Sequence, residues 1–336
     1  MLMENKSMAK FKVFLTRRIP QPAIDKLLES NIDLELNEED RVLTKEEIIE
    51  GVKGKDGLIC LLTDTIDSEI MDHAGPKLKI IANYAVGYNN IDVPAANARN
   101  IPITNTPGVL TDTTADFTMA LLLAIARKIV ISDKFTRDGK FKGWGPLLQL
   151  GTDVFEKTIG IIGCGRIGSA VARRAAKGFQ MKVRYYDTKR FPELEKELGM
   201  EYCSLKELLR NSDFISLHIP LTDTTKYMIG QKEISMMKST AFLINTSRGL
   251  IIDEKALVKA LEEKQITGAA LDVYENEPDL SPGLKELDNV VLAAHIASAS
   301  IETRTKMGMI AVENLLIGLQ GKMPPNCINS IIYKKN

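Results

Sequence analysis

Apolar and polar positions along the chain form blocks that predict strands alternating with helices. The first part of the chain has four apolar runs with the length and composition of buried strands. They are Phe11–Thr16, Gly57–Leu62, Leu78–Asn83 and Ile101–Thr106. Helical patterns such as Pro22–Glu29 and Lys45–Gly51 lie between them. Because strands alternate with helices, the pattern predicts a parallel, doubly wound α/β sheet.

A second region of the same kind follows Pro107-Gly108. It opens with a long helical pattern, Thr111–Arg137, in which apolar residues recur at helical spacing. Its predicted strands are Thr158–Ile162, Lys182–Tyr186, Asp213–His218, Ala241–Asn245, Ile266–Val273 and Asn289–Ala293. A final helix at about 300–320 is placed to return to the first region. We therefore predict two domains, residues 1–107 plus 297–336 and residues 108–296.

A glycine-rich turn connects the first strand of the second domain to a helix. Gly163, Gly165 and Gly168 follow an apolar strand and open an amphipathic helix, and Asp187 closes the next strand. An ordinary strand-to-helix turn can match this spacing by chance, but the strand, helix and acid together favour a dinucleotide site. An acid at this position binds an adenosine ribose and repels a 2′-phosphate, so it favours NAD over NADP. Lys189 and Arg190 act against that preference.

Composition narrows the possible partners. The 336 residues contain 44 Lys and Arg and 44 Asp and Glu, without a block of like charge, which argues against nucleic-acid and membrane-surface binding. The start of the chain lacks the apolar stretch of a signal peptide, so we expect a cytoplasmic protein. Four cysteines are scattered without a CxxC pair, so neither a metal site nor a disulfide framework is predicted. A small-molecule substrate is the expected partner.

Three polar residues follow predicted strands of the second domain. Arg248, Glu277 and His295 should meet at the carboxyl edge of the sheet, where α/β proteins bind ligands. An imidazole beside a carboxylate can donate a proton to a developing alkoxide, and an arginine can hold a substrate carboxylate in bidentate geometry. Each residue alone has a structural alternative: a core histidine, a solvated acid or a surface ion pair. From the residues alone, Glu275 is as plausible a partner as Glu277.

Five separated motifs together resemble the D-isomer-specific 2-hydroxyacid dehydrogenases. They are Gly160–Gly168, Leu217–Leu221, Asn245–Gly249, Leu271–Pro278 and His295. They occur in the family's order, and the resemblance spans nearly the whole chain. It implies a flavodoxin-like substrate domain, a Rossmann NAD-binding domain and, at about residues 111–151, an arm that joins two subunits into a homodimer.

The resemblance also implies roles for individual residues. Arg248 would bind the substrate carboxylate and polarise its carbonyl, His295 would be the acid/base, and Glu277, which precedes Pro278, would be its partner. Backbone N–H groups of Val86 and Gly87 would hold the carboxylate. The residues implied to bind the cofactor are Thr106, Gly163, Gly165, Arg166, Ile167, Gly168, Asp187, Pro220, Thr225, Thr246 and Asp272.

Within the family, the likeness is strongest to glyoxylate and hydroxypyruvate reductases, through Ala82–Tyr88 and Thr104–Thr111. We therefore expect reduction of one of these 2-oxo acids with NADH, with NADPH as a possible second cofactor. Phosphoglycerate dehydrogenases of the family carry an arginine in place of Asn83, which disfavours that alternative. A non-catalytic NADH-sensing corepressor remains an alternative of a different class, because such proteins share the fold and the three side chains.

Overall fold

The structure, a computed structural model, describes residues 10–334. These residues form two compact units, one built from residues up to Leu110 and from Ser300 onward, the other spanning Thr111–Ala299. Each unit contains a parallel sheet with helices, which confirms the predicted α/β class with two doubly wound parallel-sheet domains. The chain enters the second unit after residue 110 and returns to the first unit after residue 299. The sequence analysis placed these two boundaries after residues 107 and 296.

The first unit has a sheet of five parallel strands in the order β2-β1-β3-β4-β5. Its elements up to residue 104 are β1 (Phe11–Leu15), α1 (Gln21–Leu28), β2 (Ile32–Leu36), α2 (Lys45–Val52), β3 (Gly57–Cys60), α3 (Ser68–Ala74), β4 (Ile80–Asn83), α4 (Val93–Ala98) and β5 (Ile103–Thr104). The sequence pattern missed β2. This strand lies at the edge of the sheet, and its charged residues Asp33 and Glu35 are exposed, so it lacks the continuous apolar run of a central strand.

The second unit has a sheet of seven parallel strands in the order β12-β11-β10-β9-β6-β7-β8. Its elements are α5 (Thr111–Ala126), α6 (Ile129–Arg137), β6 (Thr158–Ile162), α7 (Arg166–Phe179), β7 (Lys182–Tyr186), α8 (Pro192–Leu198), β8 (Glu201–Tyr202), α9 (Leu205–Asn211), β9 (Phe214–Leu217), α10 (Gln231–Ile234), β10 (Phe242–Asn245), α11 (Glu254–Glu262), β11 (Gly268–Leu271) and β12 (Val290–Leu292). The strand order reverses at β6, next to β9. In doubly wound sheets, the carboxyl edge at such a reversal is where ligands bind.

The predicted helical stretch Thr111–Arg137 forms two helices, α5 and α6. Lys128 lies between them in the left-handed region, with φ 54°. Helix α5 buries Leu122 and Ile125 in the core of the second unit, whereas α6 buries none of its residues. The two helices therefore have different surroundings.

The last helix, α12 (Ile301–Leu319), lies in the first unit. Leu315 and Leu319 are buried in the same apolar cluster as Val13 and Ile80 of the sheet. A Cβ atom on Gly318 would lie 2.3 Å from Ile80 Cδ1, so a glycine lets this helix approach β4 closely. Short 3-10 segments occur at Gly249–Ile251, Leu284–Glu286 and Ser330–Lys334.

Candidate active site

The glycine turn lies between β6 and α7, where the strand order reverses. Gly163 has φ 91°, and a Cβ atom there would lie 2.7 Å from the backbone oxygen of His218. A Cβ atom on Gly168 would lie 2.0 Å from the backbone oxygen of Gly163. Glycine is required at both positions, because a side chain would push the helix and the neighbouring strand away from the turn.

Gly165, unlike Gly163 and Gly168, has open space where a side chain would lie. It is the N-cap of α7, and a Cβ atom built on it would have no described atom within 4 Å. The first turn of this 14-residue helix, which contains Arg166 and Ile167, presents backbone N–H groups and the positive end of the helix dipole. An anion is stabilised there. The turn thus has the space and the donors that the pyrophosphate of a dinucleotide requires.

Asp187 follows β7 and is joined to the glycine turn. Its Oδ2 accepts a hydrogen bond of 2.7 Å from the backbone N–H of Cys164. The residue is half-buried, so part of the carboxylate remains accessible. Of the two nearby basic residues, Arg190 forms an ion pair of 2.6 Å with Glu195. The positive charge that would attract a 2′-phosphate is therefore partly neutralised within the protein.

Three strand ends of the second unit carry the predicted catalytic side chains. Arg248 follows β10, Glu277 follows β11 and His295 follows β12. Nδ1 of His295 lies 2.8 Å from Oε2 of Glu277, and the two side chains are 26% and 31% exposed, respectively. The structure thus brings His295 together with Glu277. Glu275, the alternative that the residues alone left open, instead accepts a hydrogen bond from the hydroxyl of Tyr227.

The charges of the three side chains act on one another. Burial raises the pKa of the Glu277 carboxyl, but the hydrogen bond from His295 and the positive charges of His295 and Arg248 outweigh it, so the pKa lies below its usual value. Burial lowers the pKa of Arg248, and the charge of Glu277 opposes this change. A guanidinium nevertheless stays protonated in proteins. The site therefore combines a fixed cation, a carboxylate and an imidazole.

The loop that carries Arg248 is shaped by a buried asparagine that the sequence did not single out. The amide nitrogen of Asn245 donates to the backbone oxygen of Arg248 at 2.9 Å, and its oxygen accepts from the N–H and hydroxyl of Ser247 at 3.0 and 2.8 Å. Arg248 itself donates to the backbone oxygen of Ser247 at 2.6 Å. Asn245 is fully buried, so these bonds are shielded from water.

The loop that carries Glu277 is held by two further features. A Cβ atom on Gly249 would lie 1.9 Å from the backbone carbonyl of Tyr274, so this loop packs directly against the residue after Arg248. The buried carboxylate of Glu254 accepts from the N–H of Glu275 at 2.6 Å and from the hydroxyl of Ser281 at 2.7 Å. Glu254 begins α11 and looks like an ordinary helix acid in the sequence, so no local signal reveals this role.

Asp272 fixes the turn that carries His295. Its two carboxylate oxygens each accept a hydrogen bond of 2.8 Å, one from the N–H of Ile296 and one from that of Ala297. Burial raises the pKa of Asp272, and these two hydrogen bonds oppose that rise. The sequence assigned Asp272 to the cofactor. The structure places its carboxylate in bonds to the backbone of the catalytic turn.

The other residues assigned to the cofactor occupy two places. In the second unit, the hydroxyl of Thr225 donates to the backbone oxygen of Pro220 at 2.7 Å, and that of Thr246 lies 2.9 Å from the hydroxyl of Thr118. Thr106 lies in the first unit, buried, and its N–H donates to Ala85. Val86 and Gly87, assigned to the substrate, also lie in the first unit. The structure therefore distributes the predicted residues over both units.

The other two histidines have different surroundings from His295. Burial lowers the pKa of His218 to about 3, and its Nε2 lies 2.9 Å from the hydroxyl of Ser216, so this ring is neutral near pH 7. His73 is exposed on α3. Within residues 10–334, no group of three or more His, Cys, Asp or Glu is arranged to hold a metal ion. Over the same range, no helix combines the length and the apolar character that a membrane span requires.

A glycine turn with an acidic strand end, beside an imidazole, a carboxylate and a guanidinium, defines the site of a nicotinamide-dependent oxidoreductase. Residues 119–297 match the family model described as the NAD-binding domain of D-isomer specific 2-hydroxyacid dehydrogenases. The chain belongs to this family, as the motifs predicted. It is thus an oxidoreductase that acts on CH–OH groups and binds NAD(H) through its second unit.

Several relatives and solved structures are similar to this chain over nearly its full length. The chain is 53% identical over 328 residues to a glyoxylate reductase from Korarchaeum cryptofilum, covering 97% of this chain and 98% of the relative. The TT0316 protein from Thermus thermophilus is 44% identical with a TM-score of 0.89, over 95% of this chain and 100% of that one. An NADPH-dependent glyoxylate/hydroxypyruvate reductase from Sinorhizobium meliloti, solved with NADP and malonate, is 31% identical with a TM-score of 0.83, over 95% and 97%.

Proposed function

We propose that this protein reduces glyoxylate, and hydroxypyruvate as a second substrate, with NADH. The observation that carries the proposal is the pairing of His295 with Glu277 at the strand ends of the NAD-binding unit, beside the guanidinium of Arg248. The glyoxylate reductase names of similar proteins support the substrate class. Asp187 supports NADH as the preferred cofactor, because a carboxylate repels the 2′-phosphate of NADPH.

In this mechanism Arg248 binds the carboxylate of the 2-oxo acid and polarises its carbonyl group. Nδ1 of His295 is bonded to Glu277, so Nε2 is the ring nitrogen that delivers a proton to the carbonyl oxygen. Bound NADH supplies the hydride. Glu277 holds the ring orientation and stabilises the charged imidazole before the proton leaves. In the reverse direction, the same nitrogen accepts the proton of the 2-hydroxy acid.

The activity is tested by following NADH oxidation with glyoxylate, hydroxypyruvate and 3-phosphohydroxypyruvate, each with NADH and with NADPH. We expect turnover of the first two with NADH and loss of turnover in His295→Asn, with NADH binding retained. Preferred reduction of the phosphorylated acid would instead identify a phosphoglycerate dehydrogenase. Tight NADH binding by the wild type without reduction of any of these acids would identify a nucleotide sensor.

We also propose that residues 111–151 form the arm of a homodimer. Trp144 and Leu147 are 86% and 81% exposed, and further exposed apolar side chains of this segment include Phe141 and Leu150. A cavity of about 330 Å³ lies next to Leu150 within the second unit. Large apolar side chains exposed close together in one segment favour contact with a second copy of the chain. Sedimentation analysis should give a dimer for the wild type and a shift towards monomer for a Trp144→Glu, Leu147→Glu variant.

A further inference from the structure

In the loop that follows β4, three consecutive backbone carbonyl groups accept hydrogen bonds from surrounding residues. The backbone oxygen of Ala85 accepts from the N–H of Thr106 at 2.9 Å. The oxygen of Val86 accepts from the side-chain amide of Asn105 at 2.8 Å, and that of Gly87 from the side-chain amide of Asn83 at 2.9 Å. Three consecutive carbonyls thus have defined directions.

The directions of these carbonyls determine those of the N–H groups. In a trans peptide the C=O and the following N–H point in opposite directions. The peptide bonds of this loop are trans, because the cis bond of the described chain is Glu277–Pro278. The N–H groups of Val86, Gly87 and Tyr88 therefore point away from the donors that hold the carbonyls. Backbone N–H groups can donate hydrogen bonds to an anion such as a carboxylate.

The two asparagines differ in how deeply they are built into the first unit. Asn83 is fully buried, and its amide also lies 3.4 Å from the side-chain oxygen of Asn90. The amide of Asn90 donates to the backbone oxygens of Leu61 and Asp64, both at 3.0 Å. This chain of hydrogen bonds connects the loop after β4 to the loop after β3. Asn105 is half-buried and follows β5.

We propose that Asn83 and Asn105 are positioning residues that orient the 85–88 loop for the substrate carboxylate. The inference rests on the proposed function and on the assignment of Val86 and Gly87 to that carboxylate, which the family resemblance implies. The asparagines do not touch the substrate. They act through the peptide groups, by holding each carbonyl on the side opposite to the bound anion. A neutral amide suits this role because it donates a hydrogen bond without adding charge next to the carboxylate.

The test compares Asn105→Ala with the wild type and with Asn37→Ala. The control removes the amide of another half-buried asparagine of the first unit, which donates to the backbone oxygen of Thr16 at 3.0 Å and not to the loop. For Asn105→Ala we expect KM for glyoxylate to rise about tenfold with kcat changed less than about threefold, because a carboxylate contact stabilises ground state and transition state alike. The inhibition constant of oxamate, a non-reducible carboxylate analogue, should rise in parallel. The dissociation constant of NADH should not change.

A KM for Asn105→Ala within about twofold of the wild type would overturn the proposal, as would an equal rise in Asn37→Ala. Asn83→Ser provides a second variant, with thermal unfolding as the check that it is folded. If the wild type reduces another 2-oxo acid instead of glyoxylate, the same comparison is made with that acid. Loss of glyoxylate reduction in the wild type thus contradicts the proposed substrate, whereas unchanged KM in the variants contradicts the positioning role.

Discussion

Replacing Glu277 with Gln tests the acid–base pair most directly. The carboxylate of Glu277 accepts from Nδ1 of His295 at 2.8 Å and from the N–H of Tyr274 at 3.0 Å, using a different oxygen for each. Glutamine has nearly the same shape but no charge and a single acceptor oxygen. The substitution therefore removes the negative charge next to the imidazole and leaves one of the two donors without its acceptor.

The size of the effect follows from the distance and the burial. A hydrogen bond to a charged group contributes about 1.5–3 kcal/mol, whereas a neutral one contributes about 0.5–1.5 kcal/mol. Both side chains are about a quarter to a third exposed, so solvent keeps the difference near the lower end of that range. We expect kcat/KM for glyoxylate reduction to fall about tenfold in Glu277→Gln, equivalent to about 1.4 kcal/mol.

The charge of Glu277 also affects how the stability of the protein depends on pH. The pKa of this carboxyl is lowered in the folded protein, so its contribution to folding is present above the unfolded pKa and is lost as pH falls through the folded one. Glu277→Gln should therefore make the free energy of unfolding less sensitive to acid. The fall in kcat/KM and the change in stability have one cause, the attraction between the carboxylate and its cationic neighbours.

The assay measures kcat/KM for glyoxylate reduction at saturating NADH. Glu275→Gln is a matched control. It removes the same charge two residues away in the sequence, and the carboxylate of Glu275 bonds to Tyr227 and not to His295. An unchanged kcat/KM in Glu277→Gln would refute the pairing. An equal fall in Glu275→Gln would attribute the effect to the general field of the loop and would refute the specific role of Glu277.

Three further predictions concern other parts of the second unit. Arg248→Ala should raise KM for glyoxylate about 100-fold and Arg248→Lys should restore it partly, since an ammonium lacks the bidentate fork; equal KM values for both would contradict carboxylate binding. Asp187→Ser should increase the NADPH/NADH ratio of kcat/KM by about tenfold; an unchanged ratio would show that the acid does not select the cofactor. The pKa of His218 is about 3 in the folded state against 6.5 for the free group, so the unfolded chain takes up more protons and stability falls as pH drops below about 6.5. Urea unfolding should show wild type losing about 1–2 kcal/mol more than His218→Gln between pH 7 and pH 5, and equal losses would contradict the buried neutral ring.

The sequence was sufficient to predict the fold class and the glycine turn because both depend on local patterns. Apolar runs of strand length, and glycines at fixed spacing before a helix, are imposed by contacts within a few residues. The strand-end rule then places Arg248, Glu277 and His295 at one edge of a sheet. The edge strand β2 and the break at Lys128 have weaker local signals. Both depend on what packs against the segment, which no local pattern records.

The residues that hold the site in place were not predictable in the same way. Glu254 is a buried carboxylate at the start of a helix, a position where acids are common because of the helix dipole. Its importance comes from the N–H of Glu275 and the hydroxyl of Ser281, which are 21 and 27 residues away. The contact of Gly249 with Tyr274 is likewise distant in sequence. Tertiary contacts of this kind have no signature in one chain read without its structure.

His295 shows how these distant contacts determine the chemistry. Its backbone lies in the left-handed region, with φ 54°, which is unfavourable for a residue with a Cβ atom and persists only where the surroundings enforce it. Asp272 enforces it from one side by binding the next two N–H groups. Tyr274 stabilises the same turn through its hydroxyl, which donates to the backbone oxygen of Ala293 at 2.6 Å. Its N–H donates to the carboxylate of Glu277. The imidazole and its carboxylate are thus fixed through the backbone of both loops, so the 2.8 Å contact between them is a property of the fold and not of two freely rotating side chains.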